Sequence, residues 1–124
     1  MIRMKFERIT EWYRIFESKE DMENQVPLNR AIAMIRGGKK MCIAHSAKGF
    51  YAVNDKCPHN GFSLSQGNCS EDNAIVCPLH RYRFDLETGR AKSGIASYVD
   101  TYKLEVRENG VYVGVERTKF SLFG

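Results

Sequence analysis

Cys57-Pro58-His59-Asn60-Gly61-Phe62-Ser63-Leu64 and, a little further on, Cys77-Pro78-Leu79-His80-Arg81-Tyr82-Arg83-Phe84-Asp85 are the stretches that decide how this chain is read. The first holds C-x-H and the second C-x-x-H, so each tight loop carries one soft sulfur donor and one nitrogen donor. Proline directly follows both cysteines. It fixes φ and removes a backbone donor, stiffening each loop just beyond its thiol. Two such loops side by side would supply four ligands to one metal centre.

Two chemistries accept two Cys and two His. Tetrahedral zinc is one, although common Cys2His2 zinc sites pair Cys with Cys and His with His. The other is a [2Fe-2S] cluster in which one iron keeps two thiolates and its neighbour takes two imidazoles. A mixed pair on each loop suits that split, because each loop reaches both irons. The two boxes resemble those of Rieske-type iron–sulfur proteins, which read C-P-H-x-G-x-x-L and C-P-x-H-x-x-x-F, and soluble Rieske ferredoxins are the nearest members. Thr88-Gly89 follows where that family often has T-G. The resemblance runs over roughly residues 40 to 115. It implies one [2Fe-2S] cluster per chain, with Cys57 and Cys77 on one iron and His59 and His80 on the other through Nδ1.

At 124 residues the chain has the size of one domain, able to form a core without disulfide staples. Oxygenases of the same resemblance carry a further mononuclear iron domain with a 2-His-1-carboxylate site. With three histidines in the chain and two assigned to the boxes, only His45 remains, so that second site cannot be built here. An electron-transfer protein is therefore expected rather than an enzyme. Arg3, Lys5, Glu7, Arg8 and Glu11 interrupt the start, leaving no apolar run for a signal peptide or membrane span. Respiratory relatives have an extra cysteine in each box, where this chain has Phe62 and Leu79. Cys42, in a strand-like run, and Cys69, in a loop, are read as free thiols in a reducing compartment, which points to the cytoplasm. The net charge of +4 is dispersed and accompanies no nucleic-acid motif, so no nucleic-acid partner is expected.

Residues 12–16, aromatic and β-branched, predict a strand, while residues 1–11 are ambiguous. Ser18 ahead of Lys19-Glu20-Asp21 predicts an N-cap and one or two helical turns to about residue 23. Residues 31–36, 40–45 and 50–53, separated by Gly-containing turns, predict a three-stranded meander, with His45 at its surface or edge. Residues 55–92 are richer in Gly, Ser, Asn and Cys and hold two short strands, 74–77 and 82–85. Residues 102–106 and 111–116 alternate around Glu108-Asn109-Gly110 as a hairpin. The tail from residue 117 reads as an edge segment or loosely ordered. The expected fold is all-β. The resemblance makes it a single Rieske domain, with a base of antiparallel sheets from residues 1–54 and 93–124 and an inserted cluster-binding subdomain over about 55–92.

The resemblance further implies a one-electron carrier, supplied by a reductase and supplying an oxygenase. One alternative is the small subunit of a larger reductase of the nitrite-reductase type, bound to its large subunit. Another is a zinc-stabilised interaction module. High-potential relatives place a serine and a tyrosine hydroxyl at the positions held here by Tyr82 and Phe84, which suggests the low end of the Rieske range of roughly −150 to +300 mV. Phe62, Leu64, Leu79 and Phe84 are expected to shield the site. Two departures stand out: Arg81 where many members have glycine, and Ser93-Gly94-Ile95-Ala96 where they have a proline-containing loop.

Overall fold

The computed structural model describes residues 3–92 and 97–123; the Ser93-Gly94-Ile95-Ala96 departure lies outside them. The chain forms β1 (Arg3–Phe16), α1 (Lys19–Gln25), β2 (Ala31–Arg36), β3 (Lys39–Ser46), β4 (Gly49–Asn54), a 3-10 turn (Leu64–Gln66), β5 (Asn68–Cys69), β6 (Ala74–Val76), β7 (Arg83–Asp85), β8 (Thr101–Arg107) and β9 (Gly110–Phe123). Antiparallel pairing builds a six-stranded sheet in the order β1-β9-β8-β4-β3-β2 and a three-stranded sheet β5-β6-β7. This is the all-β, Rieske-like architecture expected from the boxes and the turn spacing.

Each local signal finds its element. The β2-β3-β4 meander turns at Gly37-Gly38 and before Gly49, where positive φ angles of 57°, 75° and 141° suit residues without a Cβ. Ser18 caps α1, its hydroxyl accepting the Asp21 N–H at 3.0 Å, while the Asp21 carboxylate accepts the Glu17 N–H at 3.0 Å. Met22 is the buried residue of this helix, in a core with Ile15, Phe16, Met41, Ile43, Val111 and Val113. A second core gathers Cys42, Val53, Leu64, Ile75, Phe84 and Leu86 around the small sheet.

Three expectations need correction. Residues from 117 on are neither loose nor an outer edge, because β9 pairs with β1 from Phe16↔Val111 to Arg3↔Phe123, and β1 takes the edge. β1 thus also absorbs the ambiguous start as one fourteen-residue strand. Cys69 sits in β5 rather than in a loop, and Cys42 and Cys69 are both free thiols, as expected of them. His45 is half-buried, with Nδ1 2.8 Å from the Val26 carbonyl and its ring stacked on Phe50 at 3.9 Å, so it ties the loop after α1 to the meander.

The small sheet is fastened to the large one by polar contacts. The Ser46 hydroxyl donates to Asn73 Oδ1 at 2.6 Å, the Cys69 N–H donates to the Asn29 carbonyl at 3.0 Å, and Arg30 donates to Asn68 Oδ1 at 3.1 Å. Gly67 closes the 3-10 turn against β6, so close to the Val76 carbonyl that a Cβ would collide with it.

Candidate metal centre

The two boxes fold into loops of one design. The Cys57 N–H donates to the Phe62 carbonyl at 2.9 Å, and the Cys77 N–H donates to the Tyr82 carbonyl at 2.8 Å, so each loop is closed from its cysteine to the residue five places on. Closing so short a ring requires a left-handed residue before the end. Gly61 supplies it in the first loop at φ 73°, and His80 and Arg81 supply it in the second at 68° and 57°. Arg81 thus occupies the place that glycine holds in the companion loop.

Both thiols lie at the bottom of these loops, fully buried, and both imidazoles lie on the exposed side. Burial pushes the Cys57 thiol up and the neighbouring Cys77 thiol adds to this, against the backbone N–H groups of His59 and Asn60, which aim at the sulfur and pull it down. Such N–H groups favour a thiolate over a thiol. Asn60 joins the loops: its Nδ2 donates to Cys77 Sγ at 3.7 Å and to the Leu79 carbonyl at 3.3 Å, while its Oδ1 accepts the Phe62 N–H at 2.8 Å. Tyr82 serves as a shared floor for the imidazoles. The His59 ring stacks on it at 4.4 Å and the His80 ring meets it edge-on at 6.3 Å. Among the described residues, no three His, Cys, Asp or Glu side chains converge as a single-ion site.

Of the four expected shielding residues, Leu64 and Phe84 are buried, but Phe62 and Leu79 are 37% and 43% exposed. The first two form the inner wall and the second two an apolar rim at the surface. Phe84 also underlies His59, with ring centroids 6.3 Å apart.

Sequence reasoning missed Asp55. Its carboxylate is buried, accepts the Ser65 N–H at 2.8 Å and the Ser63 hydroxyl, and lies 3.5 Å from Lys40 Nζ. It therefore braces the far side of the first loop. No local pattern marks it, because its partners are eight and ten residues away.

The donor set, two adjacent buried thiols with two surface imidazoles, fits a cluster that takes sulfur at one end and nitrogen at the other. The chain belongs to the Rieske [2Fe-2S] domain family, whose model matches residues 11–103. One [2Fe-2S] cluster per chain is the cofactor this implies, and the zinc reading gives way to it. The 3-phenylpropionate/cinnamic acid dioxygenase ferredoxin subunit of Shigella flexneri serotype 5b (strain 8401) is 37% identical over 65 residues, 52% of this chain and 61% of that protein. The chain thus matches less than two thirds of the length of that relative. A structure of a complex of reduced oxygenase and oxidized ferredoxin in carbazole 1,9a-dioxygenase matches with a TM-score of 0.67 at 27% identity, over 82% of this chain and 91% of the matched one. A chain described as an NADH-dependent nitrite reductase small subunit from Mycobacterium tuberculosis gives a TM-score of 0.74 over 86% of this chain and 96% of its own, but at 18% identity it speaks for the fold alone.

Proposed function

We propose that this chain is a one-electron carrier of the ferredoxin kind, taking electrons from a reductase and delivering them to an oxygenase, in the cytoplasm. The observation that carries the reading is the division of the site into a buried thiol floor and an exposed imidazole face. In this reading Cys57 and Cys77 hold one iron, His59 and His80 hold the other, and residues of about 55–92 form the subdomain that presents them. The cluster supplies reversible one-electron exchange.

The chain's own residues do the rest. The N–H groups of His59 and Asn60 and the Asn60 amide face the sulfurs and offset their negative charge. Leu64 and Phe84 keep water from the inner side. His59 and His80 form the surface through which a partner makes contact, within the apolar rim of Phe62 and Leu79 and beside the exposed Arg81 guanidinium. Phe84 has no hydroxyl to offer a cluster sulfur, which supports a low potential. An acidic oxygenase surface is the complement of Arg81. The 37% identity to a dioxygenase ferredoxin subunit favours this reading over a nitrite-reductase subunit.

Low-temperature EPR of the dithionite-reduced protein tests it. A Rieske-type signal that is lost in His59→Ala and in His80→Ala is expected. A signal that survives either substitution unchanged would remove imidazole ligation, and with it the carrier reading.

A further inference from the structure

The outer edge of β1 stands apart from everything described so far. β1 closes one side of the six-stranded sheet, with β9 filling its inner edge, so among the described residues its outer edge presents unpaired backbone N–H and C=O groups over a fourteen-residue strand. Edge strands are usually kept short or hidden. This one carries an apolar face instead: Met4 is 64% exposed, Phe6 65% and Phe120 48%, and the Phe6 and Phe120 rings lie 5.1 Å apart. The opposite face carries an ion pair, Lys5 Nζ to Glu7 Oε1 at 2.7 Å.

We propose that this edge is a self-association surface on which a second copy of the chain sets its own β1 antiparallel, Phe6 opposite Phe6, joining two six-stranded sheets across a two-fold axis. Residues directly opposite in an antiparallel pair share a face, so such an axis must pass through a residue position. Charge rules out several of these positions, and favours the one that opposes unlike charges. Centring on Lys5, Glu7 or Arg8 sets that charge against itself, and centring on Ile9 sets Glu7 against Glu11 twice. Centring on Phe6 sets Lys5 against Glu7 twice and brings no like charges together. On the other face the same register lines up Phe120, Phe6, Phe6 and Phe120 in one aromatic row, because Phe6 already faces Phe120 within the chain. Arg8 then stands opposite Met4, and its charge is met by its own Glu116 at 3.8 Å. At the Phe6-centred register the edge is therefore complementary to itself in backbone, charge and apolar surface.

Sedimentation velocity of the cluster-loaded protein over a wide concentration range tests this. A reversible monomer–dimer equilibrium is expected. Lys5→Glu, which turns each cross-strand ion pair into two opposed carboxylates, should weaken it about tenfold or more, and the double swap Lys5→Glu with Glu7→Lys should restore it. The visible spectrum of the cluster should be the same in all three proteins, showing that the fold is intact. A monomer at every concentration overturns the proposal. So does a dimer indifferent to Lys5→Glu, or one that the double swap fails to restore.

Discussion

Arg81 sits at φ 57° in the place where the companion loop uses Gly61. A left-handed conformation costs a non-glycine residue about 1–2 kcal/mol, whereas glycine's extra backbone freedom costs about 0.5–1 kcal/mol. Arg81→Gly is therefore expected to leave the thermal unfolding midpoint unchanged or slightly raised, and to lower the reduction potential by removing a positive charge that favours the reduced state. A clear drop in the midpoint would mean that the guanidinium holds the loop. Asp55 is the opposite case. Asp55→Ala strips a part-buried N–H and a hydroxyl of their acceptor, and a loss of about 1–3 kcal/mol in urea unfolding is expected. The contrast explains what could be read in advance. Cys57, His59, Cys77 and His80 are legible because a ligand pair must sit on one loop, at a spacing visible in a few residues. Asp55 and the Asn60 bridge depend on which loops meet, and a linear pattern does not carry that.

Among the elements, α1 hangs on a cap that was visible in Ser18-Lys19-Glu20-Asp21, and Ser18→Ala should cost about 1 kcal/mol by thermal unfolding. The small sheet is braced by charges. Asp72 pairs with Arg83 and lies 3.7 Å from Lys92, which is 3.4 Å from Asp85. Asp85 is held below the usual carboxylate range: its partial burial pushes up, but the N–H groups of Thr88 and Glu87 and the Lys92 ammonium outweigh it. A depressed carboxyl contributes stability that is present above its unfolded value and is lost as pH falls through the folded one. Acid should therefore loosen this sheet below pH ~4, and Asp85→Asn should flatten the fall. Differential scanning calorimetry against pH checks both. The meander was legible from its glycines, since each turn is local. The pairing of residues 3–9 with 117–123 was not, because strands that meet from opposite ends of a chain leave no short-range signature.

Across the whole molecule, two cores divide the labour. The core of Phe16, Met22, Met41 and Val113 belongs to the large sheet, while Cys57 and Cys77 belong to the core with Leu64, Ile75 and Phe84. Stripping the iron under anaerobic conditions should raise amide hydrogen exchange through residues 57–82 and leave β8 and β9 protected. Uniform loss of protection would show that the two cores do not act separately. No helix among the described residues is long and apolar enough to cross a membrane.

Tyr82 has a consequence for speed. Its backbone is fixed by the Cys77 N–H, and its ring stacks on His59 at 4.4 Å and meets His80 edge-on at 6.3 Å, so it packs along one side of both imidazoles. If those rings are the iron ligands proposed above, this packing would limit how far they move when the charge changes. The reorganisation energy is then small, and a modest driving force suffices for rapid exchange with a docked partner.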